Sequence, residues 1–430
     1  MPDQDLLAKL KDAVDAAFEE QTRFLADLVR HQSLRGREAT IQDHLARWFG
    51  GRGYAVDRFS IAEAGTQNHP SYSPMLDADP AQSFQVVATR RCGDPNGRSL
   101  ILQGHIDVVP EGPNEMWTVP PYSGQVRDGW LWGRGAHDMK AGVAAMCFAM
   151  EAIRAAGYSP GGDVYLQTVT EEESTGNGAL ATLVRGYRAD AVLIPEPTAG
   201  HITRAHTGTL WFRLRVRGVP VHVAVAQTGT NAIMAAYGVI QALYDFTAQA
   251  NAAAREHHWY REIENPIKFN PGVIRGGDWA SSTPDWCEVD CRIGLLPGQV
   301  VAEVQRAVER AVRDAGRLDP FLSNNPPEVV WNGFLADGFV LEPGGEAEAV
   351  LAQAHRQAFG TEMEARITTA VNDTRFYGLY FGIPALCYGP KGQGAHEFDE
   401  RTDLAFLRQT TLALAGFVCD WCGVQPLNDI

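Results

Sequence analysis

Residues 164–184 read VYLQTVTEEESTGNGALATLV. The first six, Val164–Val169, are mostly β-branched, aliphatic or aromatic and suit a buried strand. The small and apolar residues from Ala179 to Tyr187 suit a helix. Between them lie Glu171, Glu172 and Glu173, then Gly176 and Gly178. Three adjacent carboxylates repel one another. At the end of a buried strand they either cost stability or hold something positive. A strand feeding a helix through a polar turn is the unit of an α/β sheet. In open sheets of that kind, ligands bind beyond the carboxyl ends of the strands.

The same alternation runs outward in both directions. Helices are predicted over 4–30 and 40–50, and strands over Phe84–Arg90, over Ser99–Leu102 and in DGWLWG (128–133). A small-residue helix follows at Ala141–Ala156, and an apolar strand at Ala191–Ile194. Near residue 208 the pattern changes. LWFRLRVRG (210–218) and WCEVDCRIGL (286–295) alternate apolar and polar residues, as antiparallel strands with one wet face do. Helices at Asn231–Thr247 and 300–316 and a strand in PPEVVWNG (326–333) complete this segment. A helix at 346–358, a strand in ALCYGP (385–390) and a helix at 404–418 then return to the first style. The prediction is an α/β domain with a mixed, largely parallel sheet flanked by helices. It comprises residues 1–207 and 335–430, and a smaller α+β domain at 208–334 interrupts it.

With 430 residues and 45% hydrophobic content, the chain can bury more than one core. A formal net charge of −15 argues against a nucleic-acid partner and against a polybasic membrane surface. No apolar run is long enough to span a bilayer, and the charged opening MPDQDLLAKLKDAVDAAFEE lacks the features of a secretory signal. A cytoplasmic protein is expected. Seven scattered cysteines do not suggest a disulfide framework. Cys419 and Cys422 form a CxxC after the expected last helix, not at a helix N-terminus where a thiolate is stabilised.

Polar residues at strand ends occur in five places. LILQGHIDVVP (100–110) carries His105 and Asp107, and GRGAHDMKAG (133–142) carries Asp138. The glutamate run, PEPT (195–198) with Glu196, and GAHEFDE (394–400) with His396 complete the set. Imidazole and carboxylate suit Zn²⁺ or a similar divalent ion. Five ligands are too many for one ion and suit two that share a bridging carboxylate. Two ions also answer the repulsion among the glutamates. Taken singly, each has an ordinary explanation: a polar strand end, an acidic helix start or a Pro-containing turn. Their joint placement at strand ends argues for a site. GYSPG (157–161) matches a nucleophile elbow but lacks the strand-then-helix setting. GNGALA (176–181) matches a dinucleotide fingerprint, but the glutamates before it would repel a pyrophosphate. No HExxH occurs.

These motifs, in this order and over about residues 20–415, resemble the metallopeptidase family of acetylornithine deacetylase, succinyl-diaminopimelate desuccinylase, carboxypeptidase G and aminoacylase. RGVPVHVAVAQTGTNAI (217–233) and VDCRIGLLPGQ (289–299) resemble that family's lid, or dimerisation, domain. The resemblance implies that His105, Asp138 and Glu196 hold one metal and that Asp138, Glu173 and His396 hold the other. Asp107 orients His105, and the Asp138–Met139 peptide is cis. Aligning Gly178 with the motif makes Glu172 the general base and Glu173 a ligand. A slip of one residue would make Glu171 the base and Glu172 the ligand. By the same resemblance, His222 crosses a homodimer interface to stabilise the oxyanion, and Arg292 grips a substrate carboxylate. Asn372, Asp373 and Arg375 match a substrate-facing loop. Three departures stand out: His137 beside Asp138, SSTPD (281–285) without the asparagine common before its proline, and Thr175 in place of glycine. The implied function is a dinuclear-metal amidohydrolase, Zn²⁺ or else Co²⁺ or Mn²⁺, that deacylates N-acyl amino acids. The alternatives are an aminopyrimidine deformylase, a dipeptidase, or a hydrolase of aromatic or xenobiotic amides. A non-catalytic binding module is disfavoured by the intact ligand set.

Overall fold

The computed structural model describes residues 4–92 and 97–427. In chain order, its principal elements begin with helices α1 (Gln4–Arg30) and α2 (Ala39–Gly50) and strands β1 (Ala55–Ser60), β2 (Phe84–Arg90) and β3 (Leu100–His105). Helix α3 (Ala141–Ala155), β4 (Val164–Val169), α4 (Asn177–Val184) and β5 (Ala191–Ile194) follow. Next come β6 (Gly208–Arg217), α5 (Ala232–Ala254), β7 (Phe269–Gly276), β8 (Trp286–Leu295), α6 (Val301–Arg317) and β9 (Glu328–Ala336). Helix α7 (Glu346–Phe359), β10 (Ala385–Cys387) and α8 (Leu404–Cys422) close the chain.

The central sheet has the order β1-β2-β4-β3-β5-β10. Strand β3 is parallel to β4 and β5, and β5 to β10, whereas β1, β2 and β4 pair antiparallel. It is therefore mixed, with its parallel part at the centre. Every residue of β3 is buried, as a strand covered on both faces requires. Side chains alternate across the sheet. Leu100 and Leu102 join one core with Leu25 of α1, Met146 of α3 and Leu414 of α8. Ile101 faces the other way, onto Leu180 and Leu183 of α4 and Phe376.

Residues 208–336 supply a separate antiparallel sheet, β7-β8-β6-β9. Leu210, Phe212, Leu214 and Val216 of β6 turn inward with Val289 and Ile293 of β8, against Val239 and Leu243 of α5 and Val308 and Val312 of α6. The alternate residues form a polar face on which Trp211 lies opposite Arg292, Arg213 opposite Asp290, and Arg215 opposite Glu288. Strand β7 was not expected from the sequence, where it falls in a polar connection. It carries Pro271 and Gly272, which weaken any strand reading. It is tolerated because β7 is an edge strand with a register shift between Pro271 and Val273. The CxxC lies within the last turns of α8 instead of beyond it, and all seven cysteines are free thiols. No helix of the described residues is long and apolar enough to cross a membrane.

Leu102 is fully buried at the centre of the larger core. Leu102→Ala should destabilise the protein by about 2–5 kcal/mol. Guanidinium unfolding followed by circular dichroism measures the shift. A loss below about 1 kcal/mol would contradict this account of the core.

Candidate active site

The parallel register sets His105, the last residue of β3, beside Val169, the last of β4. The chain then turns from β4 into the glutamate run, and from β5 into Pro195 and Glu196. The imidazole and the acids therefore share one edge of the sheet. Gly142, at the start of α3, approaches the carbonyl of Pro195 so closely that a Cβ there would sit 2.0 Å from its oxygen. That contact draws the Asp138 segment toward Glu196. A small sheet recruits His396. The short strands Gly392–Gln393 and Arg401–Asp403 pair with each other, and the second also pairs with Trp130–Trp132, which leads into Asp138.

The outcome is one carboxylate between two imidazoles. His105 Nε2 lies 3.2 Å from Asp138 Oδ1, and His396 Nε2 lies 3.4 Å from Asp138 Oδ2. His396 Nε2 donates to Glu173 Oε1 at 3.0 Å. Glu172 Oε2 and Glu196 Oε1 each stand 3.9 Å from His105 Nε2. Two groups able to hold a divalent ion share Asp138: His105 with Asp138 and Glu196, and Asp138 with Glu173 and His396. In each, the ligand atoms lie within 4.8 Å of one another. A third, His105 with Glu172 and Glu173, overlaps both. The Asp138–Met139 peptide is cis.

The electrostatics fit a cation. Burial pushes the carboxyls of Glu172 and Glu196 well above the usual range, with His105 pulling the other way. Burial also opposes ionisation of Asp138, but hydrogen bonds from His105 and His396 hold its pKa well below normal. Glu173 and Asp138 lift His396 to about 11 against burial. Burial works against charging His105, yet Asp138, Glu196 and Glu172 raise its pKa well above normal. Glu196 Oε1 is buried without a hydrogen-bond partner. The acids that raise both imidazoles would equally attract a cation, and the His/carboxylate donor set suits Zn²⁺ or a similar ion.

The three glutamates have three different surroundings. Glu171, with a positive φ of 67°, is fully buried and gripped by Arg35 through two hydrogen bonds of 2.6 and 2.8 Å. Thr175 Oγ1 donates to it at 3.0 Å. Glu171 is thereby committed, leaving Glu172 beside His105 and Glu173 beside His396. Nothing in the sequence marked Arg35 as this partner. Asp107 meets His105 through two groups. His105 Nδ1 donates to the Asp107 main-chain carbonyl at 3.0 Å, while the carboxylate lies 3.6 Å away and accepts from the Glu173 N–H at 3.0 Å. Burial lifts the Asp107 carboxyl to about 7.

The expected substrate loop is buried. Asn372, Asp373 and Arg375 are 6%, 1% and 0% exposed. Arg375 donates to the carbonyl of Thr175, Asp373 accepts from Gln103, and Asn372 accepts from Thr374. Arg375 thus holds the turn after the glutamates, and Asp373 lies close enough to Glu172 and Glu196 to push their carboxyls up. Arg292 instead lines a cavity of about 270 Å³ with Arg35, Trp211 and Arg213. It donates to Thr209 Oγ1 and the Thr369 carbonyl and, among the described residues, has no carboxylate partner. Arg213, Arg215 and Arg275 on the same sheet face are all paired with acids. His222 is exposed at a turn, with its Nδ1 accepting from the Ala224 N–H.

A sheet edge bearing two histidine–carboxylate clusters defines a metallohydrolase class of site, and sequence comparison agrees. Residues 101–420 match Peptidase family M20/M25/M40. The chain is 28% identical over 375 residues to N-formyl-4-amino-5-aminomethyl-2-methylpyrimidine deformylase of Halalkalibacterium halodurans, covering 82% of this chain and 86% of that protein. It is 31% identical over 349 residues to succinyl-diaminopimelate desuccinylase of Delftia acidovorans, covering 77% and 84%. The fold superposes on human carnosine dipeptidase 1 with a TM-score of 0.76 at 17% identity, over 97% of this chain and 99% of that one. The chain belongs to the M20/M25/M40 peptidase family and is a hydrolase of amide C–N bonds.

Because both imidazoles carry raised pKa values, a divalent ion must displace their protons. Loading Zn²⁺ should release about one proton per histidine, and affinity should rise with pH between about 6 and 8. Calorimetric titration in two buffers of different ionisation enthalpy reads this directly. Identical heats in both buffers would contradict it.

Proposed function

We propose that this chain is a dinuclear amidohydrolase that removes the acyl group from an N-acylated, carboxylate-bearing amine. The observation that carries the reading is the shared Asp138 carboxylate between His105 and His396, with Glu172 uncommitted beside it. His105, Asp138 and Glu196 would hold one ion, and Asp138, Glu173 and His396 the other. Two divalent ions, Zn²⁺ in this reading with Co²⁺ or Mn²⁺ as substitutes, would polarise the scissile carbonyl and acidify the attacking water.

Glu172 supplies the base. It is buried, its pKa is raised, and its carboxylate makes no hydrogen bond among the described residues. It takes the water's proton on its free oxygen and returns it to the leaving nitrogen, as a general base turned acid does. Arg35 keeps Glu171 out of this role. Arg292 receives the substrate carboxylate through its fork of donors. Residues 208–334 act as a lid over residues 1–207 and 335–430, excluding water as the substrate binds.

The oxyanion donor is His222 of the partner subunit in a homodimer. Exposed apolar residues on the same 208–334 segment support this: Val223, Met234, Tyr237, Ile274 and Trp279, the last 74% exposed. Such a surface on a monomer marks an association site. The free thiols fit a reducing, cytoplasmic setting.

Deformylation of an aminopyrimidine is the second reading, favoured by the likeness to the halodurans enzyme. A screen of metal-loaded protein on acetyl, formyl and succinyl amino acids, aminopyrimidine formamides and aromatic amides decides between them. Glu172→Ala should keep its metal and lose about 10²–10⁴-fold in kcat. Glu173→Ala should lose metal by elemental analysis. Full turnover in Glu172→Ala would sink the mechanism. Arg292→Ala should raise KM about 10–100-fold for carboxylate-bearing substrates alone. An equal effect on neutral formamides would favour the second reading.

A further inference from the structure

We propose that Glu400 is a positioning residue that sets the Asp138 and His396 segments against each other, an inference that rests on the two-metal reading. Its side chain is 1% exposed and makes no approach to the cavity beside Arg292. Oε1 accepts from the main-chain N–H groups of His137 at 2.9 Å and Asp138 at 3.0 Å. Oε2 accepts from Arg134 Nη1 at 2.7 Å and from the N–H of Gly135 at 3.1 Å. Its main-chain carbonyl accepts from Gly133 at 2.8 Å. One residue therefore anchors the turn at Gly133, Gly135, His137 and Asp138, and its carboxylate offers acceptor sites for all four side-chain bonds. Arg134, itself buried, balances the charge.

The same residue ends the turn that carries His396. That turn is sharply bent, with positive φ at Gly394, His396 and Asp399. Asp399 pins it by accepting from the N–H and hydroxyl of Thr118. From Glu400 the chain passes into Arg401–Asp403, which pairs with Trp130–Trp132. The shared ligand and the distal histidine are thus referenced to one buried carboxylate. Partners of ligands commonly change metal affinity or activity by about 10–100-fold when removed.

The test uses Glu400→Gln and Glu400→Asp. The first turns an amide donor toward donors. The second keeps the buried charge beside Arg134 but shortens its reach, which protects folding. Zn²⁺ affinity of the folded apoprotein is measured by competition with a chromophoric chelator, alongside apoprotein Tm and the visible spectrum of the Co²⁺ form. About 10–100-fold weaker Zn²⁺ binding is expected, with an altered Co²⁺ spectrum and a fall in kcat at unchanged KM. Parent-like affinity and spectrum in both variants, with only Tm lowered, would make Glu400 a purely structural residue and overturn the proposal. A parent protein that takes up no Zn²⁺ removes the two-metal reading itself, and this inference with it.

Discussion

The Asp138 carboxylate lies between two imidazoles, 3.2 Å from one and 3.4 Å from the other, in a partly buried cluster that also holds Glu172, Glu173 and Glu196. Charges taken out of water must be compensated where they stand. Here the two imidazoles face the acids, and the same geometry suits divalent ions. Other features of this edge of the sheet serve the arrangement. Gly142 permits α3 to close on Pro195, and the small sheet delivers His396. Arg35 neutralises Glu171 before it can add to the repulsion.

The site is assembled from strand ends because parallel strands align their carboxyl termini. Once β3, β4 and β5 pair in register, the residues that follow them converge without further instruction. The antiparallel sheet contributes by a different rule. Its alternation sends apolar residues to a core against α5 and α6 and arginines to the opposite face. Three of those arginines meet acids on the same face, and Arg292 does not. Arg292 has a hydroxyl and a carbonyl for partners instead, and it lines the cavity beside Arg35.

Much of this was legible in the residues themselves. VYLQTV, AVLI and WCEVDCRIGL form strands over the spans their patterns mark. Strand β7 was missed because Pro271 and Gly272 argue against a strand, and only its edge position makes them tolerable. The order of the motifs pointed to the family, as the match over residues 101–420 establishes. Motif position alone did not give the finer contacts. Arg375 was expected to face substrate and is instead fully buried against the Thr175 carbonyl. The Asp107 carboxylate was expected on His105; it lies 3.6 Å from that imidazole and also accepts from the Glu173 N–H.

The TEEEST run separates what each level decides. By itself the sequence determined that a strand ends there, that a helix follows, and that clustered acids need positive charge. Period and turn chemistry are properties of neighbouring residues, so a local reading reaches them. The tertiary structure alone decided how the acids divide. Glu171 goes to Arg35, 136 residues away in the chain, Glu172 lies near His105, and Glu173 bonds to His396, 223 residues away. Those contacts depend on sheet pairing between distant segments, and three identical side chains in a row carry no local mark of the difference.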